Sequence, residues 1–141
     1  MMMRRLFLAT AFASLPARGD TSQEVVDLLG RLAAALSEGV PEAFLRAIDP
    51  SLPDYGRFAA NLTALVSQND VSSSIEIVKQ DGDDNVQVVE LAWTMEIRGK
   101  GQNRSYEKRE SLVRCRLERR KKQWRVLSLE PAVFFAPPAS R

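Results

Sequence analysis

From Val89 to Ile97 every second residue is large and apolar. Val89, Leu91, Trp93, Met95 and Ile97 fall on one side, and Glu90, Thr94, Glu96 and Arg98 are among those on the other. A period of two is the signature of a strand buried on one face only. The next run, from about Arg104 to Arg119, repeats the pattern. Arg109, Ser111, Val113, Cys115 and Leu117 share one face; Lys108, Glu110, Leu112, Arg114, Arg116 and Glu118 share the other. A last strand carries Trp124, Val126, Leu127 and Leu129 toward Phe134-Phe135. Gly99-Lys100-Gly101-Gln102-Asn103 and Arg120-Lys121-Lys122 read as hairpin loops between these runs. Residues 85–135 therefore predict three long strands in an antiparallel meander. A lead-in strand precedes them, starting at Val71 with Ile75 and Ile77, and ends at the turn Asp81-Gly82-Asp83-Asp84. A sheet with one apolar face must bury that face against another layer.

The cover is predicted upstream. Thr21-Ser22-Gln23-Glu24 fits a capping box. After it Val25, Leu28, Leu29, Leu32, Ala33 and Leu36 recur at helical spacing, and Glu38-Gly39 supplies a stop. Pro41 starts a short second helix with Phe44, Leu45 and Ile48 on its apolar side, closed by Asp49-Pro50. Ser51 is the expected cap of a third helix, with Asp54 near its positive end. Its stripe is Tyr55, Phe58, Leu62, Leu65 and Val66. Three helices followed by strands is an α+β order rather than βαβ.

The N-terminus reads as an export signal. Met1-Met2-Met3-Arg4-Arg5 is a positive start. Leu6–Leu15 is an apolar run too short to span a membrane, and Ala17 and Gly19 suit a cut before Asp20. Arg4-Arg5-Leu6-Phe7-Leu8 resembles the twin-arginine motif, and an ordinary secretory signal with two arginines fits as well. The division is then a signal over 1–19, one domain over 20–136 and a short tail over 137–141. Of 20 basic residues the signal takes three (Arg4, Arg5 and Arg18), which leaves 17 against 18 acidic ones. The mature chain is thus near neutral, and its net charge gives no argument for nucleic-acid binding. The expected location is the periplasm or the cell exterior, with no membrane span once the signal is removed.

The chain has no histidine and a single cysteine, Cys115. An intramolecular disulfide and a paired-cysteine zinc site are excluded, and Cys115 has no histidine to activate it. No metal or cofactor is expected.

The element order, the segment Glu38-Gly39-Val40-Pro41-Glu42-Ala43-Phe44-Leu45 and the closing run Gln123-Trp124-Arg125-Val126-Leu127-Ser128-Leu129-Glu130-Pro131 with Phe134-Phe135 resemble the NTF2-like (SnoaL-like) superfamily. Val40 departs from it, since members commonly place an acidic residue there. The resemblance implies a cone of three N-terminal helices on a curved antiparallel sheet of about four strands, with a pocket at its open end. It also implies frequent dimerisation through the outer sheet face. Its members include isomerases, dehydratases, hydrolases and non-catalytic domains, so the fold alone does not decide function.

The catalytic members use an Asp or His base with Tyr or Asp donors, and no such set transfers to this chain. Arg109 and Ser111 are the candidates at the pocket mouth, where the guanidinium could bind a carboxylate or phosphate. The same two residues also fit a strand end in solvent or paired with Asp or Glu. Trp93, Trp124, Tyr55 and Phe58 could line an apolar pocket, and core packing accounts for them equally. Asp49 reads as a pocket acid or as a turn residue. Arg114, Arg116, Arg119, Arg120, Lys121 and Lys122 form a basic patch that acidic cross-strand partners can offset. The expectation is an exported, non-catalytic ligand-binding or interaction domain that takes a small apolar or anionic ligand and forms a homodimer through the sheet. The alternatives are a small cofactor-free enzyme and a structural dimerisation module.

Overall fold

The computed structural model describes residues 16–102 and 105–139, and side chains from Asp20 onward. The export-signal features at residues 1–15 lie outside the described residues. Three helices come first: α1 over Pro16–Glu38, α2 over Pro41–Leu45 and α3 over Tyr55–Gln68. Four strands follow: β1 over Asn69–Gly82, β2 over Val86–Gly99, β3 over Tyr106–Arg120 and β4 over Gln123–Glu130. A 3-10 turn over Ala132–Phe135 closes the chain. The strands form one antiparallel sheet in the order β1-β2-β3-β4. The sheet curves around the helices without closing, which makes the expected α+β cone.

The alternation places residues as the sequence predicts. Val89, Leu91, Trp93, Met95 and Ile97 are buried, as are Val113, Cys115 and Leu117. Two bulges interrupt the period. One lies between Ile77 and Lys79, and leaves Val78 as an exposed extra residue. The other skips Leu127, because Leu117 pairs with Val126 while Arg116 pairs with Ser128. Trp124 and Val126 therefore face the helices, Leu127 is displaced, and Leu129 returns to the core. Bulges bend a strand and raise its local twist, which helps this sheet wrap its cover. At the β1–β2 turn Gly82 has φ 140, and a Cβ there would collide with the Val86 carbonyl.

Two helix starts differ from expectation. α1 already runs through Thr21 and Glu24, so neither acts as a cap. Thr21 is buried and its hydroxyl donates to Asp84 at 2.8 Å. Glu24 accepts from Trp124 Nε1 at 2.9 Å and pairs with Arg119 at 2.9 Å. These ties fasten the helix to the sheet across about a hundred residues of sequence. α3 begins at Tyr55 after Asp54 in the left-handed region, with Ser51 outside the helix. Ser51 instead donates its backbone N–H to Asp49 Oδ1 at 2.9 Å, an Asx turn.

The chain between α2 and α3 covers the open edge of β4. Val126 N donates to Ala47 O at 2.9 Å and Asp49 N donates to Val126 O at 2.8 Å. Ile48 thereby forms a short parallel bridge with Val126. This pairing satisfies an edge that would otherwise present free backbone groups.

Candidate functional site

The family resemblance implies a pocket in the cone, and the structure packs aromatic rings into that interior. The 3-10 turn after β4 folds Phe134 and Phe135 over the sheet, and both are buried. Phe135 lies 5.0 Å from Trp93, 5.7 Å from Phe58 and 5.8 Å from Phe44 between ring centroids. The Trp93 and Phe58 contacts are edge-to-face, the geometry favoured by ring quadrupoles. Trp93 is 1 % exposed, and its Nε1 donates to Ser73 Oγ at 2.7 Å. Its one polar atom is thus satisfied inside the core.

Arg109 is at the place the alternation assigns, on the inward face beyond Val113. Its Nε and Nη1 donors, however, are engaged by the protein. Nη1 donates to the carbonyls of Phe134 at 2.8 Å and Ala136 at 2.6 Å, and Nε donates to Glu107 at 2.6 Å. The guanidinium holds the aromatic plug in place rather than presenting a fork to a ligand. Ser111 is half-buried, and its hydroxyl donates to the Leu112 carbonyl at 3.1 Å. Tyr55 is partly buried against the core. Trp124 is buried beside α1, with Arg119 stacked over its ring at 4.8 Å. The six candidates therefore separate. Trp93 and Phe58 meet around Phe135, Arg109 ties the plug down, and Trp124 belongs to the contact with α1.

Titratable groups in this interior are few. Cys115 is fully buried, and burial pushes its thiol up to about 12, so it stays protonated at physiological pH. Asp49 is not directed at the plug. The backbone N–H and the hydroxyl of Ser51 hold its carboxyl below the usual carboxylate range, and Arg120 at 3.0 Å and Arg125 add to this.

Open space remains at the rim, where α3 passes the end of β4 and the closing turn. A groove of about 370 Å³ lies there. Phe58, Leu52, Leu129 and Val133 give it an apolar wall, while Arg57, Asn61 and Glu130 bring polar groups. Its size falls in the range of small-molecule pockets, roughly 300–1,000 Å³. Of these, Phe58 alone was a site candidate from sequence. Arg57 and Asn61 stand four apart on α3, hence on one face, and Val133 is 72 % exposed beside buried neighbours. The spacing of Arg57 and Asn61 was the signal available in the sequence, while the exposure of Val133 emerges only from the fold.

No protein-family model and no curated protein sequence matches the chain. Solved structures do resemble it. A conserved protein from Planctomyces limnophilus superposes with a TM-score of 0.72 at 7% identity, covering 79% of this chain and 94% of that one. A scytalone dehydratase-like protein from Novosphingobium aromaticivorans gives 0.71 at 10% identity, covering 80% and 83%. An NTF2-like superfamily protein from Salmonella enterica gives 0.66 at 10% identity, covering 88% and 96%. The fold is the NTF2-like α+β cone. That fold houses both binding domains and enzyme-type cones, and no helix among the described residues is long and apolar enough to cross a membrane.

Proposed function

We propose that this chain is an exported, non-catalytic binding domain whose ligand lies in the rim groove between α3 and the end of β4. The observation that carries this reading is the filled cone. Phe135 and its ring neighbours pack in the interior where the family resemblance implies a pocket, and Arg109 fastens them there. Proton transfer needs an ionisable side chain with a shifted pKa facing the substrate. The groove offers instead an apolar wall with hydrogen-bonding groups at one end. Because the lining holds Asp54 and Glu130 as well as Arg57, the groove suits a neutral amphipathic molecule better than a bare anion. Export rests on the Arg4-Arg5 start and the Leu6–Leu15 run.

Titration with the neutral fluorophore N-phenyl-1-naphthylamine tests the groove. One saturable site is expected, lost in Val133→Asp, a change at an exposed position that the fold tolerates. No saturable binding, or binding unaltered by Val133→Asp, would overturn the reading.

Self-association through the outer sheet face is a second reading, favoured by Leu112. It is 62 % exposed at the middle of β3, opposite Ala92. Light scattering after gel filtration should then show a dimer that Leu112→Glu converts to a monomer. A monomeric wild type would remove this reading.

A further inference from the structure

A second cleft, of about 440 Å³, lies where α1, α2 and the start of β4 meet, and it shares no lining residue with the rim groove. Arg31 enters it from α1, Arg46 from the end of α2, Lys122 from the β3–β4 turn and Arg125 from β4. Its two carboxylates are Glu24 and Asp27. Glu24 is already set against Arg119 at 2.9 Å, so Asp27 is the one lining carboxylate left to oppose four cations, while Asp49 acts on Arg125 from outside the lining.

Lys79, Arg98, Lys108, Arg109, Arg116, Arg119 and Arg120 each meet a carboxylate. Among the described residues none of the four cleft cations forms an ion pair, though Arg125 lies near enough to Asp49 to help lower its carboxyl. Cations without an ion pair also occur singly among the described residues, at Arg57, Lys100 and Arg114; the cleft differs in gathering four around one concavity. Arg31, Arg46 and Lys122 have no side-chain partner among the described residues, and Arg125 donates only to the backbone carbonyls of Arg46 at 2.9 Å and Ile48 at 3.2 Å. Four like charges held around one concavity repel one another and raise the local potential for an anion.

The turn adds an independent observation. Lys121 and Lys122 sit at φ 51 and φ 67, both left-handed, as the two central residues of the β3–β4 hairpin. Turns of this kind favour Asn-Gly, because side-chain-bearing residues are strained there. Lysine at both positions breaks the local rule at the spot that delivers a charge to the cleft.

We propose that this cleft binds the phosphate group of a small phosphorylated molecule or of a lipid head. A phosphate carries up to two charges and matches guanidinium forks. Leu28 and Ala47 supply an apolar floor for the rest of the ligand.

Calorimetry with inorganic pyrophosphate, together with co-sedimentation on phosphatidic-acid vesicles, tests the site. The double variant Arg31→Gln/Arg46→Gln should weaken binding by about tenfold or more, since two charge-assisted contacts are lost. Lys100→Gln/Arg114→Gln removes equal charge from outside the cleft and should change it less than about twofold. None of the four substituted side chains has a hydrogen-bond or ion-pair partner among the described residues, so circular dichroism should be unchanged. Pyrophosphate binding assigns a free phosphorylated molecule, and vesicle binding alone assigns a lipid head; both uphold the phosphate site if the cleft variant weakens them about tenfold or more. No saturable binding to either probe, or equal loss in the control variant, would overturn it. N-phenyl-1-naphthylamine binding at the rim groove should be unaffected, which separates this outcome from failure of the groove.

Discussion

Replacing Arg109 by Met would release the segment that plugs the cone. The change keeps an unbranched apolar stem and removes the guanidinium alone. Two hydrogen bonds from a charged donor to carbonyls disappear, each worth roughly 1.5–3 kcal/mol when buried. The Glu107 contact adds little, because Glu107 is 42% exposed and exposed pairs contribute about 0–1 kcal/mol. Ala136 is only half-buried, so its carbonyl recovers water and the upper sum is not reached. The net expectation is a loss of about 2–4 kcal/mol. Urea unfolding at pH 7, followed by circular dichroism and by tryptophan emission, measures it. Trp93 packs on both Phe134 and Phe135, so native emission should also shift to the red as the plug loosens. Glu107→Gln should cost under about 1 kcal/mol. A Met variant within about 0.5 kcal/mol of wild type, with unshifted emission, would refute the clamp, since surface substitutions fall in that range.

Acid should destabilise the fold through Asp49 and Glu118. Both carboxyls are held below their usual range, by Ser51 and Arg120 at Asp49 and by Arg120 and Arg116 at Glu118. Depressed folded-state values mean the stabilisation is present above the unfolded pKa and is lost as pH falls through the folded one. Stability against urea should therefore drop below about pH 4, and Asp49→Asn should flatten that acid limb. Cys115 should not react with Ellman's reagent in the native protein at pH 8, since its thiol is buried and titrates near 12. Rapid native labelling would contradict the burial, and full labelling is expected in urea.

The faces of β2 and β3 were legible because alternation depends only on neighbours along the chain. Val89 to Ile97 and Val113 to Leu117 fell where their period put them. Bulges carry no such period, so Leu127 read as part of a continuous apolar run and Val78 was not recognised as the extra residue. Thr21 and Glu24 match a cap by local spacing, yet their partners Asp84 and Trp124 are far away in sequence, and tertiary contact won. Arg109 shows the same limit at the candidate site. Its face was readable, but its partners are carbonyls of a turn that folds back from the chain end. The rim groove was hidden for a similar reason, because Phe58, Arg57 and Val133 come together only when that turn docks on α3.

Xenon binding tests the filled cone most directly. Crystals of the wild type under xenon pressure should show no site among Phe44, Phe58, Trp93 and Phe135. Phe135→Ala should show one there, at a stability loss of about 3–5 kcal/mol. Xenon bound among those rings in the wild type would mean that the cone is open, and would contradict the account.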